Sequence, residues 1–272
     1  MLKKAFTNDL YEPAALPTGG ARLHMGEHTL FLGPLGAVAS HAHATPALVL
    51  GLYEPVKLQL NPSATSAPWQ HGQAVVVPAG ALHRLHTGTA PVAVLYPSPV
   101  KASIQTLAAL VGNRQDNGTF SVCGNSTEQA FFRELYETPV LTPADASEAL
   151  SGLLERPGLA RHARALDPRV RQTIEQLHRT PEQADSLLAW AAIHSLSPSR
   201  LMHLFNEQLH TPFRRYRTWC RLQTAMRAAD TGISLTQAAL SAGFSDSQHF
   251  SREFRRAFGM TASEVLRRLR KP

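Results

Sequence analysis

Ala242-Gly-Phe-Ser-Asp-Ser-Gln-His-Phe-Ser-Arg-Glu-Phe254 is the stretch whose reading decides the fold. Gly243 suits the left-handed conformation that ends a helix. Ser245 stands where an N-cap is wanted, and Gln248, three residues on, predicts a capping box. Phe250, Phe254 and Phe258 recur every fourth residue and share the buried face of the helix that follows. That leaves Ser247, Gln248, Arg252, Arg255 and Arg256 on or beside its outer faces. Upstream, Leu235 and Ala239 lie one turn apart, and Ala239 is small enough for two helices to cross closely. The pattern predicts a helix, a tight turn and a second helix.

The same pattern occurs earlier in the chain. Leu187, Ala191, Ser195, Leu196 and Ser197 precede Leu235, Ala239, Gly243, Phe244 and Ser245 by 48 positions, and Leu201 and Phe205 precede Phe250 and Phe254 by 49. An internal repeat carries more weight than either copy alone. Phe213 to Asp230, between the copies, predicts one connecting helix of about 18 residues, about 27 Å long. A rigid spacer of that length sets two reading helices about one DNA turn apart, near 34 Å.

Charge divides along the same line. From Arg169 to Pro272 there are 16 Lys and Arg against 8 Asp and Glu; the rest of the chain holds 11 against 12, from totals of 27 and 20. All the excess positive charge lies where the repeat lies, as expected of a nucleic-acid-binding domain joined to a neutral one.

Residues 185 to 272 resemble the DNA-binding domain of the AraC/XylS family of transcription regulators. The resemblance is carried by Leu196-Ser-Pro-Ser-Arg-Leu201, Leu204-Phe205, Arg221-Leu222, the run from Ala242 to Phe254, and Phe258-Gly259. The family's usual ending, Gly-x-Thr-Pro-x-x-Tyr-Arg, appears here as Gly259-Met-Thr-Ala262-Ser-Glu-Val265-Leu-Arg267, a departure in the scaffold behind the second reading helix. The resemblance implies base readout by Ser199, Met202 and His203 in the first unit and by Ser247, Gln248, His249 and Arg252 in the second. Chemically, Arg252 suits guanine and Gln248 suits adenine. Arg200, Arg255 and Arg256 are expected to hold phosphates, which position without specifying.

The N-terminal part reads differently. Leu48–Tyr53, Val56–Leu60, Gln73–Val77 and Val92–Tyr96 are apolar or alternating runs bounded by turn residues, which predicts a sandwich or barrel. Gly72-Gln-Ala-Val-Val-Val-Pro78-Ala-Gly80-Ala-Leu-His83 resembles the second cupin motif, and Gly36-Ala-Val-Ala-Ser-His41-Ala-His43 resembles the start of the first. Two His at i and i+2 of a strand point the same way, so His41 and His43 with His83 make a candidate three-imidazole site for zinc or iron. The carboxylate such motifs usually supply is missing, and the nearest acid is Glu54. Imidazoles lining a pocket without metal remain the alternative. Downstream, Ser103–Val111, Thr127–Tyr136 and Ala144–Leu154 carry helical periodicity, the last behind a Thr142-Pro143 start.

The chain is 43% hydrophobic and 17% charged, which fits globular domains and excludes a disordered chain. No run approaches the roughly 20 apolar residues of a membrane span. Met1–Tyr11 has no apolar stretch, so no secretory signal is expected. Cys123 and Cys220 form no disulfide framework and fit thiols in a reducing cytoplasm.

Together these features predict an α+β multidomain protein. A cupin-like β-barrel sensor spans 1–100, a helical extension and candidate dimerisation segment 101–160, a linker 161–168, and an all-α double helix-turn-helix domain 169–272. The expected function is a cytoplasmic, non-enzymatic transcription regulator that binds double-stranded DNA as a homodimer, away from membranes. It answers to an unidentified small-molecule effector in the barrel. A metal-dependent cupin enzyme with an appended DNA-binding domain is the alternative, and the incomplete ligand set weighs against it.

Overall fold

The computed structural model describes residues 20–62, 67–112, 127–138, 140–160, 165–182 and 187–269; Cys123 and the first half of the expected linker lie outside them. Among the described residues the N-terminal part holds nine strands: β1 (Arg22–Met25), β2 (Thr29–Pro34), β3 (Ala37–His41), β4 (Ala47–Gly51), β5 (Val56–Leu60), β6 (Gln70–Gly72), β7 (Ala74–Val77), β8 (His83–His86) and β9 (Pro91–Tyr96). They form two antiparallel sheets, ordered β1-β2-β9-β4-β7 and β3-β8-β5-β6.

Alternation across the larger sheet builds two cores. Phe31, Val49, Val75, Val77, Val92 and Val94 meet Val38, Val56, Leu58 and Leu85 of the smaller sheet. Leu30, Leu32, Leu48, Leu50, Val76 and Leu95 face the other way, against Leu107, Phe132, Leu150 and Leu153. Those four belong to α1 (Ile104–Val111), α2 (Thr127–Glu137) and α3 (Pro143–Leu154). A sheet covered on both faces needs unbroken apolar strands, which is why Leu48–Leu50 and Val92–Leu95 read as they do. The smaller sheet meets solvent on one side, and His83-Arg-Leu-His86 alternates buried and exposed accordingly. The expected cupin-like barrel is therefore met only in its coarser part: the strands pack as two antiparallel sheets, and neither closes on itself.

The helices begin where side chains can cap them. Ser103 and Thr142 each make reciprocal capping bonds at α1 and α3, with Pro143 at the first helical position of α3. After α4 (Pro157–Ala160), Asp167 caps α5 (Pro168–Arg179). Then come α6 (Leu187–Ile193), α7 (Pro198–Leu209), α8 (Phe213–Asp230), α9 (Leu235–Ser241), α10 (Ser247–Phe258) and α11 (Ala262–Leu269). Among the described residues no helix is long and apolar enough to cross a membrane.

The helical domain sits on the edges of the sheets. Gln223 Nε2 of α8 donates to Thr29 Oγ1 at 2.8 Å, Arg227 Nε to Met25 O at 3.2 Å, and Arg268 Nη1 to Pro34 O at 2.7 Å. Between these polar ties the aromatic rings of both parts touch. Tyr96 of β9 lies 5.0 Å from the Trp219 ring of α8, which lies 5.1 Å from Phe258 of α10.

Two histidines, His28 buried and His178 half-buried, make the fold acid-sensitive. His28 Nδ1 accepts from Ser98 N at 3.0 Å, and burial, with the Lys101 charge, pushes its pKa down from 6.5 to about 4. Burial, with the Arg227 charge, also lowers His178 to about 4. A folded pKa below the unfolded one contributes stability that is fully present above the unfolded value and is lost as pH falls through the folded one. Thermal midpoints of the full chain should thus fall as pH drops from 6.5 toward about 4. A His28→Gln/His178→Gln double variant should show a shallower fall; an unchanged slope would contradict the assignment.

Candidate nucleic-acid interface and the histidine pocket behind it

The two repeats fold as helix, turn and helix. In the first, Ser195 ends α6 at φ 54°, a left-handed conformation in which a side chain is strained, as its place in the repeat requires. Ser197 then caps α7 by accepting from Arg200 N at 3.2 Å. Leu201, Leu204, Phe205 and Leu209 of α7 are buried, whereas Ser199, Arg200, His203 and Met202, 46% exposed, face outward.

In the second repeat Gly243 takes φ 85°, and a Cβ there would stand 2.9 Å from Glu182 Cα. The helix starts one residue later than the sequence suggested. Asp246, not Ser245, caps α10, accepting from His249 N at 2.7 Å. Ser245 Oγ instead donates to Asp246 Oδ2 at 2.9 Å, so the capping box expected between Ser245 and Gln248 is absent and Gln248 is exposed. Backbone and hydroxyl donors hold the Asp246 carboxyl below its usual range. Phe250 and Phe254 are buried. Phe258 is half-buried, 4.6 Å from the Phe254 ring. Arg252, Arg255 and Arg256 are exposed, Ser247 and His249 partly so.

Sequence reasoning treated α8 as a spacer and missed what it contributes to this face. Arg214 and Arg217 lie between the two units. They line one groove with Ser199, Met202 and His203 and another with His249, Glu253 and Arg256. Their three-residue spacing in Arg214-Arg-Tyr-Arg217 was the available signal. Arg256, expected on phosphate, pairs with Glu253 at 2.7 Å on the surface. Exposed pairs of this kind hold weakly and exchange partners readily.

Behind α10 lies the second cluster. His41 and His83 face each other in register across β3 and β8, and His43 follows just beyond the end of β3. All three are buried, with candidate ligand atoms within 4.8 Å of one another. His41 Nδ1 lies 2.7 Å from Ala39 O and His83 Nδ1 2.9 Å from Ala81 O. His43 Nε2 lies 3.0 Å from His41 Nε2 and 3.3 Å from the Tyr96 hydroxyl. Burial, then the charge of His83, lowers His41 to about 3 and drives His43 well down; burial lowers His83 to about 4. The cluster borders a cavity of about 70 Å³ walled by Leu23, Met25, Phe31 and Val94 on one side and by Met226, Phe254, Phe258 and Met260 on the other. Glu54 does not line it.

Two helix-turn-helix units on one rigid spacer, with a cationic surface between them, define residues 187–269 as a double helix-turn-helix DNA-binding domain. Comparison with known proteins agrees. Residues 190–268 match the helix-turn-helix domain family model. Over 101 residues the chain is 32% identical to the arabinose operon regulatory protein of Escherichia coli K12, covering 36% of this chain and 35% of that one. The chain thus spans about a third of the curated relative it matches. Over these residues the chain is similar to AraC-type helix-turn-helix domains.

The whole fold is similar to that of ToxT from Vibrio cholerae. An apo structure of a ToxT point variant gives a TM-score of 0.61 at 13% identity, covering 91% of this chain and 100% of that one. A ToxT structure bound to unsaturated fatty acid gives 0.55 at 12%, covering 89% and 96%. At such identity the likeness shows the fold alone.

The observed cap predicts an order of effects. Asp246→Ala removes the acceptor for His249 N and should lower the urea midpoint of the full chain more than Ser245→Ala does. The reverse order would return the cap to Ser245.

Proposed function

We propose that this chain is a ligand-responsive transcription regulator that reads promoter DNA through α7 and α10, acting as a cytoplasmic homodimer on repeated sites. The observation that carries it is the outward presentation of Ser199, Met202, His203, Gln248 and Arg252 from two helices held by the 18-residue α8. Ser247 and His249 stand at the start of α10 beside them. Arg252 reads guanine and Gln248 adenine, while Met202 offers an apolar contact to a thymine methyl. Arg200, Arg255 and Arg256 hold phosphates, and Arg214 and Arg217 join them between the units.

The effector occupies the cavity between sandwich and helices. Its walls are apolar, with imidazoles and the Tyr96 hydroxyl at one end. At about 70 Å³ the space is smaller than one that takes benzene, so a small, largely apolar effector enters by widening it. A ToxT structure of similar fold holds an unsaturated fatty acid, which supports an apolar effector for this chain. Regulation follows if the effector binds one docked arrangement of the DNA-binding domain better than another.

Arg252→Ala is expected to cost about 1–3 kcal/mol on the preferred site and to relax specificity at one base pair. Arg214→Ala should instead weaken binding to all sequences and reduce the steepness of log K against log salt by about one. Affinities on a site library at several salt concentrations check both. A uniform loss for Arg252→Ala would remove it from base readout.

A further inference from the structure

The hydrogen bonds around the three histidines fix which nitrogens carry protons. A carbonyl oxygen only accepts, so Nδ1 of His41 donates to Ala39 O and Nδ1 of His83 donates to Ala81 O. Nε2 of both rings is therefore left as an unprotonated lone pair. His43 cannot be satisfied in either tautomer. Its Nδ1 is buried and has no hydrogen-bond partner. With the proton on Nδ1, a donor is orphaned; Nε2 then accepts from the Tyr96 hydroxyl at 3.3 Å while it faces the lone pair of His41 Nε2 at 3.0 Å. With the proton on Nε2, His43 donates to His41 and its Nδ1 is an orphaned acceptor. An orphaned buried polar atom costs about 1–3 kcal/mol.

A cation among the imidazoles converts the facing lone pairs of His41 and His43 into ligands; it leaves the Nδ1–H of His43 without a protein acceptor, whereas those of His41 and His83 keep theirs. Zinc holds imidazole nitrogens at about 2.0–2.1 Å in a tetrahedron, which sets neighbouring nitrogens about 3.3 Å apart. The His41–His43 separation is 3.0 Å and the ligand atoms of the three residues lie within 4.8 Å of one another, so the widest pair must close by about 1.5 Å to share one ion. Donation of Nδ1–H to a backbone carbonyl is the outer-shell arrangement that orients metal-bound imidazoles and raises their basicity. Three nitrogen donors without thiolate favour a late first-row divalent ion. A dipositive ion beside an apolar cavity requires an anion, and the fourth position, open to that cavity, is where hydroxide or an anionic atom would sit.

The cluster also touches the reading helix. Gly259 ends α10 at φ 69°, and a Cβ there would run into Ala39 O and stand 2.7 Å from both His41 Nδ1 and Val38 Cγ1. Ala39 N donates to Gly259 O at 3.2 Å, and Ala42 N donates to Arg256 O at the same distance. The carbonyl that orients His41 thus belongs to the residue that holds the last turn of α10.

We propose that His41, His43 and His83 bind one divalent transition-metal ion of the zinc class, and that its occupancy tightens the docking of α10 on β3 and so sets DNA affinity. The regulatory half rests on the reading of α10 as a DNA-reading helix; the metal half does not. Full-length protein stripped with chelator is titrated with Co²⁺. The expected result is one ion per chain with the intense visible absorption of a four-coordinate site, displaced by Zn²⁺. His43→Gln and His83→Gln, checked for folding by circular dichroism, should each weaken binding at least tenfold. His71→Gln and His86→Gln, at exposed histidines, should leave it unchanged. No stoichiometric ion, or equal binding by the cluster variants, would overturn the site. On DNA carrying the selected site, Zn²⁺ should shift the wild-type Kd about fivefold or more and leave His83→Gln unmoved. A wild-type Kd that ignores bound zinc would overturn the regulatory role. Absence of any sequence-selective DNA binding, with the cobalt spectrum intact, would strike the regulator reading alone.

Discussion

The row of rings that runs from His43 through Tyr96, Trp219, Phe258 and Phe254 to Phe250 joins the inside of the β-sandwich to the back of the second reading helix. Successive centroids lie 4.8, 5.0, 5.1, 4.6 and 5.7 Å apart. Aromatic contacts of this kind bring large buried area and a preferred relative geometry. Beside them, the polar ties of Gln223, Arg227 and Arg268 and the backbone bonds to Gly259 and Arg256 join the two parts. The cavity exists because the row stops short of filling the space between the sheets and α8, α10 and α11. Cavity and domain interface are therefore one space, and whatever fills it touches Phe254 and Phe258 directly.

That arrangement sets a constraint on α10. Its outer face carries Gln248 and Arg252, its inner face carries the phenylalanines, and its last turn is held by β3 through Gly259 and Arg256. If α10 moved as a rigid body on these two bonds, a small shift at Ala39 or His41 would be carried to its N-terminal end. Only glycine at 259 lets β3 approach so closely. The departure at Ala262 and Val265 from the family's usual Pro and Tyr falls in α11, where both residues are buried and Val265 lines the cavity. The substitution therefore adjusts the wall of the pocket and leaves the DNA face untouched.

The helical half was legible in the sequence because its signals are local. Four-residue spacing, the Gly243 turn and the Phe213–Asp230 spacer depend on neighbours a few positions away, and all appear as expected. The cap was misplaced by one residue because Ser245 and Asp246 are both good acceptors. Which one serves depends on where Phe244 must sit to pack 5.4 Å from Phe250. In the sandwich, β4, β5, β7 and β9 were legible as apolar or alternating runs. Strands such as β1 and β6, short and half-solvated, gave no period to read, and β8 alternates over only four residues, two of them histidines. The pairing of Thr29 with Gln223 spans 194 residues, and no local pattern encodes it. The histidine cluster was the exception: its motif spacing placed His41, His43 and His83 together, although β3 ends before His43.

The central claim is that α7 and α10 read DNA together as one double head. The most direct test is selection of binding sites from random duplex DNA by the full-length chain. The account predicts two enriched blocks whose centres lie about one helical turn, roughly 10 base pairs, apart. A single enriched block, or retention of all sequences with only a steep salt dependence, would contradict it.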